Sequence, residues 1–130
     1  MNNISEEYRQ LFRTALAVSK NAYNPYSGFC VGAALLTEDG EVFTGVNVES
    51  ASFGATICAE RSALAAAVTA GKRSFRAMAV GAPGGAAWPC GICRQILFEF
   101  DDELDVIAGA GEASLEVKKL RELLPKGFSL

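Results

Sequence analysis

The chain has 130 residues, half of them apolar and about a fifth charged, with a net charge of −3, a globular composition that excludes a disordered or collagen-like chain. Twelve basic residues are scattered singly, so there is no basic stripe to neutralise phosphates, and polynucleotide binding is disfavoured. No apolar run approaches the ~20 residues of a membrane span, and the start MNNISEEYRQ lacks the regions of a signal peptide. One compact domain, residues 1–130, is therefore expected, in a soluble cytoplasmic protein with no membrane partner.

Ser5 is placed to cap a first helix, with Glu6 and Glu7 at its positive end and Tyr8, Leu11, Phe12, Ala15 and Leu16 on one stripe, running to about Lys20. NPYSG (24–28) has turn chemistry. It leads into FCVGAALLTEDGEVFTGVNVE, two apolar runs joined at Asp39-Gly40, which is a β-hairpin signal. Alternation along such strands puts Phe29, Val31 and Ala33 on one face and Cys30 on the other, and points Asn47 and Glu49 the same way. A helix from about residue 57 to Lys72 follows, with Gly71 as its stop signal. RAMAVGA (76–82) reads as a buried strand, and APGGAAWP (82–89) as a glycine-rich loop without phosphate-binding spacing. CGICRQILFEF reads as a third helix with Pro89 in its first turn. DVIAGAG (105–111) is a short strand, LEVKKLRELLP combines a strand with a last helix, and KGFSL is a tail. This order predicts an α/β fold in which a mixed sheet is covered by helices on both faces.

Four cysteines and no histidine restrict the chemistry. In a reducing compartment the thiols are buried, catalytic or metal-binding, and any general acid or base must be a carboxylate, thiol, lysine or tyrosine. PCGIC sets Cys90 and Cys93 on one face of a helical first turn, where two sulfurs converge on one ion, while Cys58 opens another helix. Helix starts favour thiolate over thiol. Three thiolates give a zinc site with an open fourth position, which distinguishes a catalytic site from a structural one. Arg61 is placed to hydrogen-bond the thiolates and offset their charge, and Glu60, two residues after Cys58, is placed to take a proton from water.

The CAE and PCxxC pair resembles the zinc-dependent deaminases, with their glutamate acid/base and paired cysteines. YNPYSGFCVGAALL, GVNVESASFG, CAERSAL, PCGICRQ and LLPKGF, in that order and over most of residues 23–128, resemble the small homotetrameric cytidine deaminases. The resemblance implies a three-layer α/β/α fold with a mixed five-stranded sheet and Zn2+ held by Cys58, Cys90 and Cys93. It implies zinc-dependent hydrolytic deamination of cytidine and deoxycytidine to uridine and deoxyuridine, a pyrimidine-salvage reaction, with Glu60 as the proton shuttle. Asn47 and Glu49 would hold ribose hydroxyls and Phe29 would pack on the pyrimidine. The backbone of Cys58 and Ala59, with Ser52, would meet the base. Phe128 would reach into a neighbouring subunit's pocket in a homotetramer with shared active sites. Ser50 and Phe53 stand where the family commonly has asparagine and tyrosine, so a hydroxyl near the pocket is missing.

Each of these residues also has a plain structural reading. Cys30 packs like a small hydrophobe, Asn47 and Glu49 suit a solvated strand face, Phe29 and Phe128 suit a core, and Arg61 suits an exposed helix. A closed structural zinc site would want a fourth ligand and leaves Glu60 unexplained. The competing functions are a deaminase of another aminopyrimidine nucleoside, such as the blasticidin S type, and a non-catalytic zinc-binding oligomeric module.

Overall fold

The computed structural model describes residues 4–130. Helix α1, Glu6–Val18, starts as the sequence predicts: the Ser5 side chain accepts from the Tyr8 N–H at 3.2 Å, and Leu11, Phe12 and Ala15 form the buried face. A single 3-10 turn, Ser19–Asn21, ends it. The hairpin strands are β1, Gly32–Thr37, and β2, Val42–Val46, paired antiparallel around the Asp39-Gly40 turn. Then come α2, Ala59–Thr69; β3, Phe75–Gly81; α3, Gly91–Phe98; β4, Asp105–Ala108; β5, Glu116–Lys119; and the single turn α4, Leu120–Leu123.

The five strands form one mixed sheet in the order β2-β1-β3-β4-β5. β1 is antiparallel to β2 and β3, β3 is parallel to β4, and β4 is antiparallel to β5. Strand alternation divides the core into two clusters. Ala34, Leu36, Ala77 and Ala79 face Leu11, Phe12 and Ala15 of α1, whereas Ala33, Leu35, Met78 and Val80 face Ala63 and Leu64 of α2 and Leu97 of α3. Helices thus cover both faces, giving the three layers that the sequence led us to expect. Close approach of α2 to the sheet depends on Gly45: a Cβ there would lie 2.3 Å from the Ala63 nitrogen and 2.6 Å from the Ala59 carbonyl oxygen.

Several boundaries differ from the sequence expectation. β1 begins at Gly32, so Phe29, Cys30 and Val31 precede the named strand. They are held by the Asn47 side chain, whose Oδ1 accepts from the Val31 N–H and whose Nδ2 donates to the Phe29 carbonyl, both at 2.9 Å. α2 begins at Ala59 rather than near residue 57, because Ile57 is drawn into a bridge with Val48 and Cys58 becomes the N-cap. Its end comes at Thr69, and Gly71 at φ +90° turns the chain so that the Lys72 N–H reaches the Ala67 carbonyl. Pro89 lies just outside α3, which Cys90 caps. β4 stops at Ala108, and a 3-10 turn, Glu112–Ser114, takes the place of the rest of the expected strand.

Candidate metal centre and active site

Two helix N-termini meet beyond the end of β3. Cys58 is the N-cap of α2, Cys90 is the N-cap of α3, and Cys93 lies in the first turn of α3. Cys58 Sγ is 3.7 Å from Cys90 Sγ, which is 3.5 Å from Cys93 Sγ. A tetrahedral ion with Zn–S bonds of about 2.3 Å sets its sulfurs about 3.8 Å apart, so the three thiols fit zinc as they stand. Among the described residues they are the one group of this kind suited to a metal ion. Cys30 is separate and accepts a 3.1 Å hydrogen bond from Asn24 Nδ2.

The surroundings of these sulfurs favour a thiolate at Cys58. Cys58 is pulled down to about 5, first by a hydrogen bond with the Cys93 thiol and then by Arg61 and Cys90. Cys93 is pushed up because its proton is engaged by Cys58 and it is buried. Arg61 Nη2 lies 4.0 Å from Cys58 Sγ and donates to the Thr56 carbonyl at 3.1 Å. Its Nε is buried with no hydrogen-bond partner among the described residues, a donor left beside a group that gains negative charge when it binds metal.

Glu60, in the first turn of α2, is only 4% exposed. Burial raises its carboxyl to about 7, the Cys58 charge adds to the rise and Arg61 opposes it. It lines a cavity of about 300 Å³ together with Phe29, Asn47, Glu49, Cys58, Ala59 and Cys90. Asn47 and Glu49 both line this cavity, although both lie beyond the end of β2. Glu49 accepts from the Ser27 hydroxyl and from the Ser27 and Tyr26 N–H groups at 3.1 and 3.0 Å, which holds its carboxyl below the usual range.

Phe128 stands apart. Its backbone is clamped to α3 by Gln95, whose Nε2 donates to the Phe128 carbonyl at 2.7 Å and whose Oε1 accepts the Phe128 N–H at 3.3 Å. The ring is 64% exposed, on the outer side of α3 beside Ile92 and Ile96. Ser52 does not line the thiol-bearing cavity. Phe53 is exposed, edge-on to Tyr26, and borders a neighbouring hollow of about 260 Å³ with Glu49, Ser50 and Thr56.

The model of the family described as the cytidine and deoxycytidylate deaminase zinc-binding region matches residues 5–109. The chain belongs to this deaminase family. A curated cytidine deaminase of Sporosarcina psychrophila is 41% identical over 125 residues, covering 95% of the chain and 92% of that protein. One from Halalkalibacterium halodurans is 42% identical over 93% of each. The crystal structure of the cytidine deaminase of Burkholderia pseudomallei has a TM-score of 0.88 at 43% identity, covering 96% of this chain and 100% of that one.

Two features of this deaminase-family site were not foreseen from the sequence. Trp88 lines the cavity, and its signal was its place two residues before Cys90 in a chain with a single tryptophan. Arg94, one turn into α3, donates through Nε to the Pro89 carbonyl at 2.7 Å and through Nη1 to the Leu123 carbonyl at 2.8 Å. It thereby ties the loop before Cys90 to the end of α4, a link between residues too far apart in the chain to leave a periodic trace.

Proposed function

We propose that this chain hydrolytically deaminates cytidine and deoxycytidine, releasing ammonia and giving uridine and deoxyuridine. The observation that carries the reading is the buried Glu60 beside three convergent thiols, in the lining of a cavity that Asn47 and Glu49 also line. Cys58, Cys90 and Cys93 would hold Zn2+, whose chemistry when bound would be to make water more acidic. Glu60 would take a proton from water and deliver it to the ring nitrogen beside the reacting carbon as the water oxygen bonds to that carbon, then carry the second proton of the water to the amine, whose C–N bond breaks to release ammonia. A carboxyl held near neutrality by burial can both take and give a proton in this way. Arg61 balances the charge of the thiolates from outside the cavity.

Phe29 packs on the pyrimidine, and the Ala59 main chain meets its edge. Glu49 stays ionised and accepts a sugar hydroxyl, while Asn47 has one amide hydrogen left for the sugar after its bond to the Phe29 carbonyl. Phe128, exposed on the outer side of α3, completes the cavity of a neighbouring copy in a homotetramer. Truncation before it is expected to raise KM and leave the zinc content unchanged. The direct test is loss of ultraviolet absorbance when protein of known zinc content is mixed with cytidine. Turnover proportional to zinc occupancy is the expected result, and no turnover from fully loaded, assembled protein would move the reading to another aminopyrimidine.

A further inference from the structure

The glycine-rich loop 82–89, between β3 and α3, closes against the cavity. A Cβ on Gly84 would stand 3.1 and 3.3 Å from Cε1 and Cδ1 of Phe29, so the bare backbone lets the loop approach the ring. Four residues on, Trp88 lines the cavity with Phe29, Glu60 and Cys90 while also packing on the core cluster of α2 and α3. Its place in the chain, two residues before Cys90, keeps it beside the thiols in that lining.

We infer that Trp88 is a specificity-determining residue that sets how much bulk the reacting edge of the pyrimidine can carry. The inference rests on the deaminase reading. In a cytidine placed with its sugar at Glu49 and its amino-bearing carbon at the thiols, the C5 position adjoins the reacting carbon and lies at the same end. Trp88, backed by the core, forms a wall there that does not yield, and its large side chain favours hydrogen over methyl at C5.

The test compares zinc-loaded wild type, Trp88→Phe and Trp88→Ala on cytidine and 5-methylcytidine. Misfit of one methyl group in an apolar pocket is worth about 10- to 200-fold in kcat/KM. The ratio of kcat/KM for 5-methylcytidine over cytidine is therefore expected to rise about tenfold or more in Trp88→Ala and less in Trp88→Phe. A merely structural role would lower both substrates together and leave the ratio unchanged, which overturns the proposal. If the alanine variant does not fold, the phenylalanine variant decides by the same ratio. Because Trp88 is the sole tryptophan, its emission should also change as uridine saturates the wild type, and an unaltered spectrum counts against the assignment. Wild type that turns over neither substrate sinks the deaminase reading itself, whereas wild type active on cytidine with an unmoved ratio in the variants sinks only the role of Trp88.

Discussion

Asn47→Ala removes both ends of the clamp that holds residues 29–31 in place. The Val31 N–H and the Phe29 carbonyl lose their 2.9 Å partners in part-buried surroundings, and Asn47 itself is only 9% exposed. Leaving a backbone group unsatisfied costs about 1–3 kcal/mol, and partial access of water keeps each near the lower half of that range, so the loss is about 2–4 kcal/mol. For a chain of this size 1 kcal/mol moves Tm by about 4 °C, which predicts a fall of about 8–16 °C. Asn47→Asp keeps an acceptor for the Val31 N–H but sets a carboxylate oxygen against the Phe29 carbonyl oxygen in a nearly buried place, so a loss at least as large is expected at neutral pH. Thermal unfolding of the zinc-loaded proteins by circular dichroism measures the effect. KM for cytidine should rise as Phe29 loosens. An alanine variant melting within about 2 °C of wild type would refute the clamp.

Glu60→Gln should retain its zinc and lose about 10³-fold or more in kcat, the scale of a positioned acid/base, and near-normal turnover would remove Glu60 from the chemistry. In metal-stripped protein the folded carboxyl titrates near 7 against 4.5 unperturbed, so the charged form burdens the fold. Wild type then loses stability relative to Glu60→Gln as pH rises from 4.5 through 7, by about 3 kcal/mol in full; equal gaps between the melting curves at pH 5 and pH 8 would contradict this. Gly45→Ala drives a Cβ into the backbone of α2 and should cost about 3 kcal/mol, with less zinc bound per chain, read by denaturant unfolding and metal analysis. Arg94→Gln frees the loop before Cys90, so zinc should pass to a colorimetric chelator at least about tenfold more readily while KM for cytidine holds. An unaltered transfer would make Arg94 a surface tie only.

Periodicity and spacing made much of this molecule legible. The stripe of Leu11, Phe12 and Ala15 marked α1, and the one-turn spacing of Cys90 and Cys93 marked a metal site because helical geometry converts three residues into one face. What stayed hidden depends on partners far away in sequence. Phe29 and Val31 alternate like strand residues, yet the Phe29 carbonyl and the Val31 N–H are met by the side chain of Asn47 rather than by a backbone neighbour. Ile57 looks like the opening of a helix until Val48 claims its backbone. Phe128, apolar at a chain end, is held by Gln95 on the outer side of α3; nothing in the local pattern distinguishes that placement from a core one.

Cys58 and Cys90, 32 positions apart, flank the central strand β3 in the chain. An ion that joins them closes a loop containing all of α2 and β3, a crosslink of a size that restricts the unfolded chain by about 3–4 kcal/mol in the chain-entropy treatment. Zinc supply would then govern how many molecules survive as well as how many are active. A newly made chain starved of metal opens more often and is exposed to proteases, so cellular abundance of the protein should fall along with its activity.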